Sequence, residues 1–134
     1  MLTIELINNN IPRLQLQDSV GKALQLINDF RVTHLPVVAD SKYLGMVSEE
    51  DLLDVEEEKM PIELMQEAFT NPSVFENEHF LNAVNCSNQF DTTVVPVISQ
   101  AKDFLGVITT SDLLKALGNF AGTNEIGGII ILEM

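Results

Sequence analysis

Apolar positions in this chain keep two rhythms in alternation, and the alternation occurs twice. Val20, Ala23, Leu24, Ile27 and Phe30 fall at helical spacing, behind Asp18 or Ser19 as a helix cap. Two β-rich runs follow at 34–38 and 43–47, joined by the turn-like Asp40-Ser41-Lys42. Ser48 then opens a second helix that runs to about Val55. Phe80, Ala83, Val84, Ser87 and Phe90 restate the first stripe, interrupted at Ser87. Runs at 94–98 and 104–108 restate the strands, around Ser99-Gln100-Ala101-Lys102, and Thr109 opens a helix to about Phe120. Pro36 and Pro96 cannot donate to a ladder, so they predict edge or strand-start positions. Short helices are expected at 3–7 and 62–69.

The residues themselves repeat. Pro12, Ala23, Thr33 and Pro36 return as Pro72, Ala83, Thr93 and Pro96. Gly45, Asp51, Leu52 and Leu53 return one place later, as Gly106, Asp112, Leu113 and Leu114, so one residue has entered the second copy's strand–strand turn. A long period held in register means two copies of one supersecondary unit, packed together because neither buries its apolar face alone. The expected fold class is α/β (α+β): two pseudo-symmetric repeats, each a small, mainly three-stranded sheet with two helices. The expected units are 1–60, 61–121 and a tail at 122–134. The tail carries Gly127-Gly128 and then the apolar run 129–134. A strand there has no partner within the repeat, so it is expected to pair with a second chain or to begin a further domain.

Composition narrows the class. Of the 134 residues, 46 % are hydrophobic, which suits a globular chain. No apolar run approaches the ~20 residues that span a bilayer, and no signal-peptide pattern opens the chain, so a cytoplasmic location is expected. Cys86 is the single cysteine, excluding an intrachain disulfide, and its place in the repeat matches Leu26, a core position. Twenty acids face seven bases, a net charge of −13. That argues against nucleic acid and anionic membranes as partners. The acids crowd the stretch from Glu49 to Glu67, where Lys59 is the one base. This reads as a solvated helix end and linker, since no acidic calcium-type loop is present.

The chemistry lies where each second strand ends. Gly45-Met46-Val47-Ser48-Glu49-Glu50-Asp51 and Gly106-Val107-Ile108-Thr109-Thr110-Ser111-Asp112 share a form: Gly, two apolar residues, a hydroxyl, two residues, Asp. A helix N-terminus presents unpaired N–H groups. Asp51 and Asp112, one turn in, can accept from two sugar hydroxyls. The simpler alternative is a helix cap: Ser48 and Thr109 as N-caps, with the aspartates completing capping boxes.

The ordered pair of motifs, with Leu35-Pro36-Val37-Val38 and Val95-Pro96-Val97-Ile98 before them, resembles a tandem pair of cystathionine-β-synthase-type repeats (CBS domains), the Bateman module. The resemblance covers roughly residues 1–120. The tail is similar to the first strand of the ACT domain that follows the pair in acetoin-utilisation-type regulatory proteins. The resemblance implies a regulatory module sensing an adenosine-containing ligand, an adenine nucleotide or S-adenosylmethionine, with no required cofactor. By position, Ser48 with Asp51 and Thr109 with Asp112 would hold phosphate and ribose. Adenine would lie by the segments around Leu35 and Val95, or near Leu14 and Val74.

The two copies diverge at the ligand positions. Copy one places Glu49 and Glu50 inside its motif and has His34 as the only base near the strand proline. Copy two offers Thr110 and Ser111, with Lys115 one turn on, and Val94 in place of the histidine. The better site is therefore expected at Thr109 and Asp112, for a nucleoside or monophosphate rather than ATP. No nucleophile–base pair or metal-ligand spacing supports an enzyme. The competing class is a structural module that forms a homodimer and binds nothing small.

Overall fold

The computed structural model describes the backbone of residues 1–123 and the side chains of residues 1–119. The predicted tail strand lies outside these residues. Each copy contributes a helix, a β-hairpin and a second helix. In the first these are α1 (Val20–Phe30), β1 (His34–Ala39), β2 (Lys42–Ser48) and α2 (Glu49–Leu53). In the second, the two-residue strand β3 (Val74–Phe75) precedes α3 (Phe80–Phe90), β4 (Val94–Ile98), β5 (Phe104–Thr109) and α4 (Thr110–Thr123). The expected lead-in helices are 3-10 segments, Thr3–Leu6 and Ile62–Ala68.

Local chemistry explains the boundaries. Ser19 caps α1 by accepting the Lys22 N–H. Arg31 and Asp91 end α1 and α3 in the left-handed conformation, with φ of 55° and 51°. Ser87, the break in the second stripe, is buried and donates its hydroxyl to the Thr92 carbonyl at 2.7 Å. The inserted residue sits where the repeat offset changes. Asp40 and Ser41, both at positive φ, make a two-residue turn between β1 and β2, while 99–103 joins β4 to β5.

Strands cross between the copies. Leu14 extends the β1–β2 sheet beside Val37, and Thr70 adds to its other edge at Met46. The second sheet runs β3-β4-β5, and Asn8 adds to its β5 edge at Val107. Each sheet thus gains one edge from its own copy and the other from residues that precede the other copy's first helix. Pro96 consequently lies in a central strand, not at an edge. It is tolerated because β3 begins at Val74, opposite Val97, just past the position a Pro96 N–H would need. Pro36 is accommodated in the same way: its carbonyl accepts from Leu14, whose bridge is one residue long.

Gly45 and Gly106 are required by these crossings. Both have positive φ, 144° and 150°, and both lie under the crossing strand. A Cβ on Gly45 would come 2.9 Å from the Thr70 carbonyl oxygen, and one on Gly106 would come 2.5 Å from Ile7 Cγ2.

Two apolar cores result. Leu14, Val20, Ile27, Leu35, Met46, Leu52 and Ile62 centre the first. Val74, Phe80, Val84, Val95, Ile108 and Leu117 centre the second, with Leu6 and Ile7 packed on it. Each fully buried aliphatic side chain contributes roughly 1.5–3 kcal/mol. Cys86 is a free thiol inside the second core, its pKa pushed up to about 11 by burial.

Between the cores the hairpins meet. Lys42 Nζ lies 2.6 Å from Asp103, and Tyr43 stacks on Phe104 with ring centroids 6.4 Å apart. The Tyr43 hydroxyl donates to the Pro72 carbonyl at 2.6 Å, and burial raises its pKa.

Candidate functional site

The two motif ends begin alike and finish differently. Ser48 Oγ accepts the Asp51 N–H at 3.0 Å, and Thr109 Oγ1 accepts the Asp112 N–H at 3.1 Å, so both hydroxyls are N-caps. In the second copy the capping box closes. Asp112 Oδ2 accepts from the Thr109 N–H at 3.1 Å and from the Thr109 hydroxyl at 2.6 Å. It also accepts from the Asn8 side-chain amide at 3.3 Å. In the first copy the box stays half made. Among the described residues the Asp51 carboxylate has no hydrogen-bond or ion-pair partner.

Asp51 instead faces a cavity of about 400 Å³, within the range of small-molecule sites. The end of the β1–β2 hairpin and the start of α2 form one wall, with Ser48, Asp51, His34 and Met46. Ala68, at the end of the 3-10 segment, and Thr70 of the crossing strand form a second, and Phe90 and Asp91 at the end of α3 form a third. The space therefore belongs to both copies, at their seam. Thr110 faces a different, mostly apolar cavity of about 150 Å³, with Val84, Leu113 and Leu117.

The first cavity is acidic. Glu49, Glu50, Asp51 and Asp91 line it, and no Lys or Arg among the described residues does. The five-residue α2 carries three of these carboxylates in its first turn, which offset the positive end of so short a helix. His34 adds no counter-charge at neutral pH. Burial lowers its pKa from the ordinary 6.5, and the charges of Asp91 and Asp51 oppose that only in part. Its Nδ1 lies 2.7 Å from the Thr33 hydroxyl.

The residues singled out in the sequence thus divide. Ser48, Asp51 and His34 come together on one cavity. Thr109 and Asp112 come together in a closed cap. Leu35 and Val95 are 0 % exposed and lie behind the hairpins in the two cores, not on the cavity surface. Leu14 and Val74 are core residues as well. Strand alternation is the cause: His34, partly exposed, faces the cavity, and the next residue must face the opposite way. Sequence reasoning missed Thr70, Phe90, Asp91 and Asn8. Phe90 and Asp91 were legible only as the end of a helix, and Asn8 only as part of the turn-forming run Asn8-Asn9-Asn10.

The comparisons agree with this architecture. The CBS domain family model matches residues 4–58. A CBS domain pair/ACT domain protein from Thermotoga maritima superposes with a TM-score of 0.78 at 17 % identity, over 89 % of this chain and 98 % of that one. A putative acetoin utilization protein (AcuB) from Vibrio cholerae gives 0.74 at 20 % identity, over 93 % and 96 %. CBSX2, solved in complex with AMP, gives 0.69 at 20 % identity, over 89 % and 97 %. Residues 4–58 match the CBS domain model, and the chain has the fold of a CBS domain pair. Among the described residues, no helix is long and apolar enough to cross a membrane.

Proposed function

We propose that this chain is a regulatory module that binds an adenosine-containing ligand in the acidic cavity at its seam. The observation that carries the reading is the half-made capping box: Asp51 keeps an unpaired carboxylate on a 400 Å³ cavity, beside the Ser48 cap. A carboxylate in that position can accept both hydroxyls of a ribose. Ala68 and Phe90 give the base an apolar surface. The AMP complex of CBSX2 supports an adenine nucleotide as the ligand class. With four carboxylates and a neutral His34, the cavity suits a nucleoside or monophosphate, and ATP least. The ligand acts by favouring one arrangement of the two copies over another, which an attached domain or second chain senses. The module is regulatory, not catalytic, and cytoplasmic.

Thermal shift against adenosine, AMP, ATP and S-adenosylmethionine tests this. A ligand at 100 times its dissociation constant adds ~2.7 kcal/mol. Adenosine or AMP is expected to shift the native chain and to leave Asp51→Asn unmoved. No shift with any of the four at millimolar concentration overturns the reading.

A second reading is a structural module that forms a homodimer. Leu53 on α2 and Leu114 on α4, equivalent in the repeat, are 66 % and 65 % exposed, and Phe30 is also exposed. Light scattering of the native chain and of Leu53→Glu/Leu114→Glu decides it. A dimer that the substitutions split supports this second reading of the surface. A monomer in both refutes it.

A further inference from the structure

We propose that Asn8 is an internal occupant of the second copy's ligand end, and that it sets the number of open sites in the module at one. This rests on the reading of the hydroxyl–Asp motifs as ligand ends. Two strands cross the hairpins at equivalent places. Thr70 exchanges both backbone hydrogen bonds with Met46, at 2.7 and 3.1 Å, and its short side chain leaves Asp51 open to the cavity. Asn8 occupies the matching place on β5, donating its N–H to the Val107 carbonyl at 2.7 Å. Its longer side chain reaches Asp112 Oδ2 at 3.3 Å.

The reach is fixed by the turn that follows. Asn8 Oδ1 accepts the Asn10 N–H at 2.8 Å, so the amide's oxygen is spent and its NH₂ faces the carboxylate. Two additional residues between the crossing point and the proline make that turn possible, since 8–12 in the first copy corresponds to 70–72 in the second. Behind it, Ile7 presses on the bare face of Gly106. The bonds from Asn8 and Thr109 all land on Asp112 Oδ2, so a ribose that takes both carboxylate oxygens must displace Asn8 from an oxygen already accepting two bonds from Thr109. Copy two has the less acidic motif and copy one has the open one. Asn8, added to the closed Thr109 cap, completes that difference.

Titration calorimetry with adenosine, an uncharged probe, reads the site count. The native chain is expected to bind one adenosine per chain, and Asn8→Thr, which copies Thr70, is expected to bind two. Two sites in the native chain, or one in Asn8→Thr, overturns the proposal. A ligand-free arm decides the contact itself. Urea unfolding of Asn8→Ala, Asp112→Ala and the double variant is expected to give losses that do not add. Additive losses overturn the proposal even where adenosine binds. If adenosine binds neither chain, the functional reading fails separately, and the cycle alone decides whether Asn8 holds Asp112.

Discussion

Thr33 and Thr93 hold each other across the seam between the copies. The Thr33 N–H donates to Thr93 Oγ1 at 2.9 Å, and the Thr93 N–H donates to Thr33 Oγ1 at 3.1 Å. Each threonine carbonyl also receives the first helical N–H of its own copy, from Glu49 or Thr110, at 2.9 Å. One pair of residues therefore ties the hairpins together and seats both motif helices. Their recurrence in the sequence is explained by this exchange, since each supplies the acceptor the other's backbone requires.

Replacing either threonine by valine keeps the shape and removes one acceptor. Thr33→Val leaves the Thr93 N–H unpaired at a part-buried position and also takes the hydroxyl from His34 Nδ1. Thr93→Val leaves the Thr33 N–H unpaired, and either substitution also removes the 3.3 Å contact between the two hydroxyls. A buried donor without a partner costs about 1–3 kcal/mol. Both variants are expected to lose stability in urea unfolding, with Thr33→Val losing more. Equal losses would mean that the His34 contact contributes nothing.

The two glycines under the crossing strands give a second contrast. Gly45→Ala and Gly106→Ala both place a side chain at positive φ, and each is expected to cost more than about 1 kcal/mol. The neighbours differ. Gly45 faces the Thr70 backbone, whereas Gly106 faces a methyl of Ile7. Ile7→Ala should therefore relieve part of the Gly106→Ala loss by removing that methyl. Leaving the Gly106→Ala loss unrelieved would mean that φ alone sets it.

The repeat made the fold legible because scaffold residues recur for reasons of geometry: glycines under crossing strands, threonines at the seam, leucines in the cores. What the repeat concealed was the exchange. Asn8 and Thr70 are not aligned by the 60-residue period, because the copies differ in length just before their prolines, so neither was read as part of a site. Ser48, His34 and Asp51 were legible as local motif residues. Leu35 and Val95 lie in apolar runs buried on both faces, which carry no alternation to tell a core side from a cavity side.

His34 gives the module a pH dependence whose sign is fixed by its surroundings. Its folded pKa is below 6.5 because burial disfavours the imidazolium. Between that lowered value and 6.5 the unfolded chain binds more protons than the folded one, so stability rises with pH through that window and falls as acid is added. Melting temperatures of the native chain should therefore drop between pH 6.5 and 5 by more than those of His34→Asn. Parallel curves for the two proteins would place the titration elsewhere.

The acids at the first motif should discriminate among ligands of one shape and different charge. Glu49 and Glu50 are exposed on the cavity rim, so they act on a bound phosphate through water and are screened by salt. Removing one such charge is worth about a twofold to fivefold gain in affinity for an anion at low ionic strength, and less at physiological salt. Adenosine carries no charge to feel the change. Glu49→Gln and Glu50→Gln are therefore expected to bind AMP more tightly than the native chain does, with adenosine affinity unchanged and the AMP gain shrinking as salt is raised. Titration calorimetry with both ligands at two salt concentrations checks this. An equal gain for adenosine would show that the glutamates act by shape, and an AMP gain that persists in high salt would place the phosphate in direct contact with the substituted glutamate, not across water.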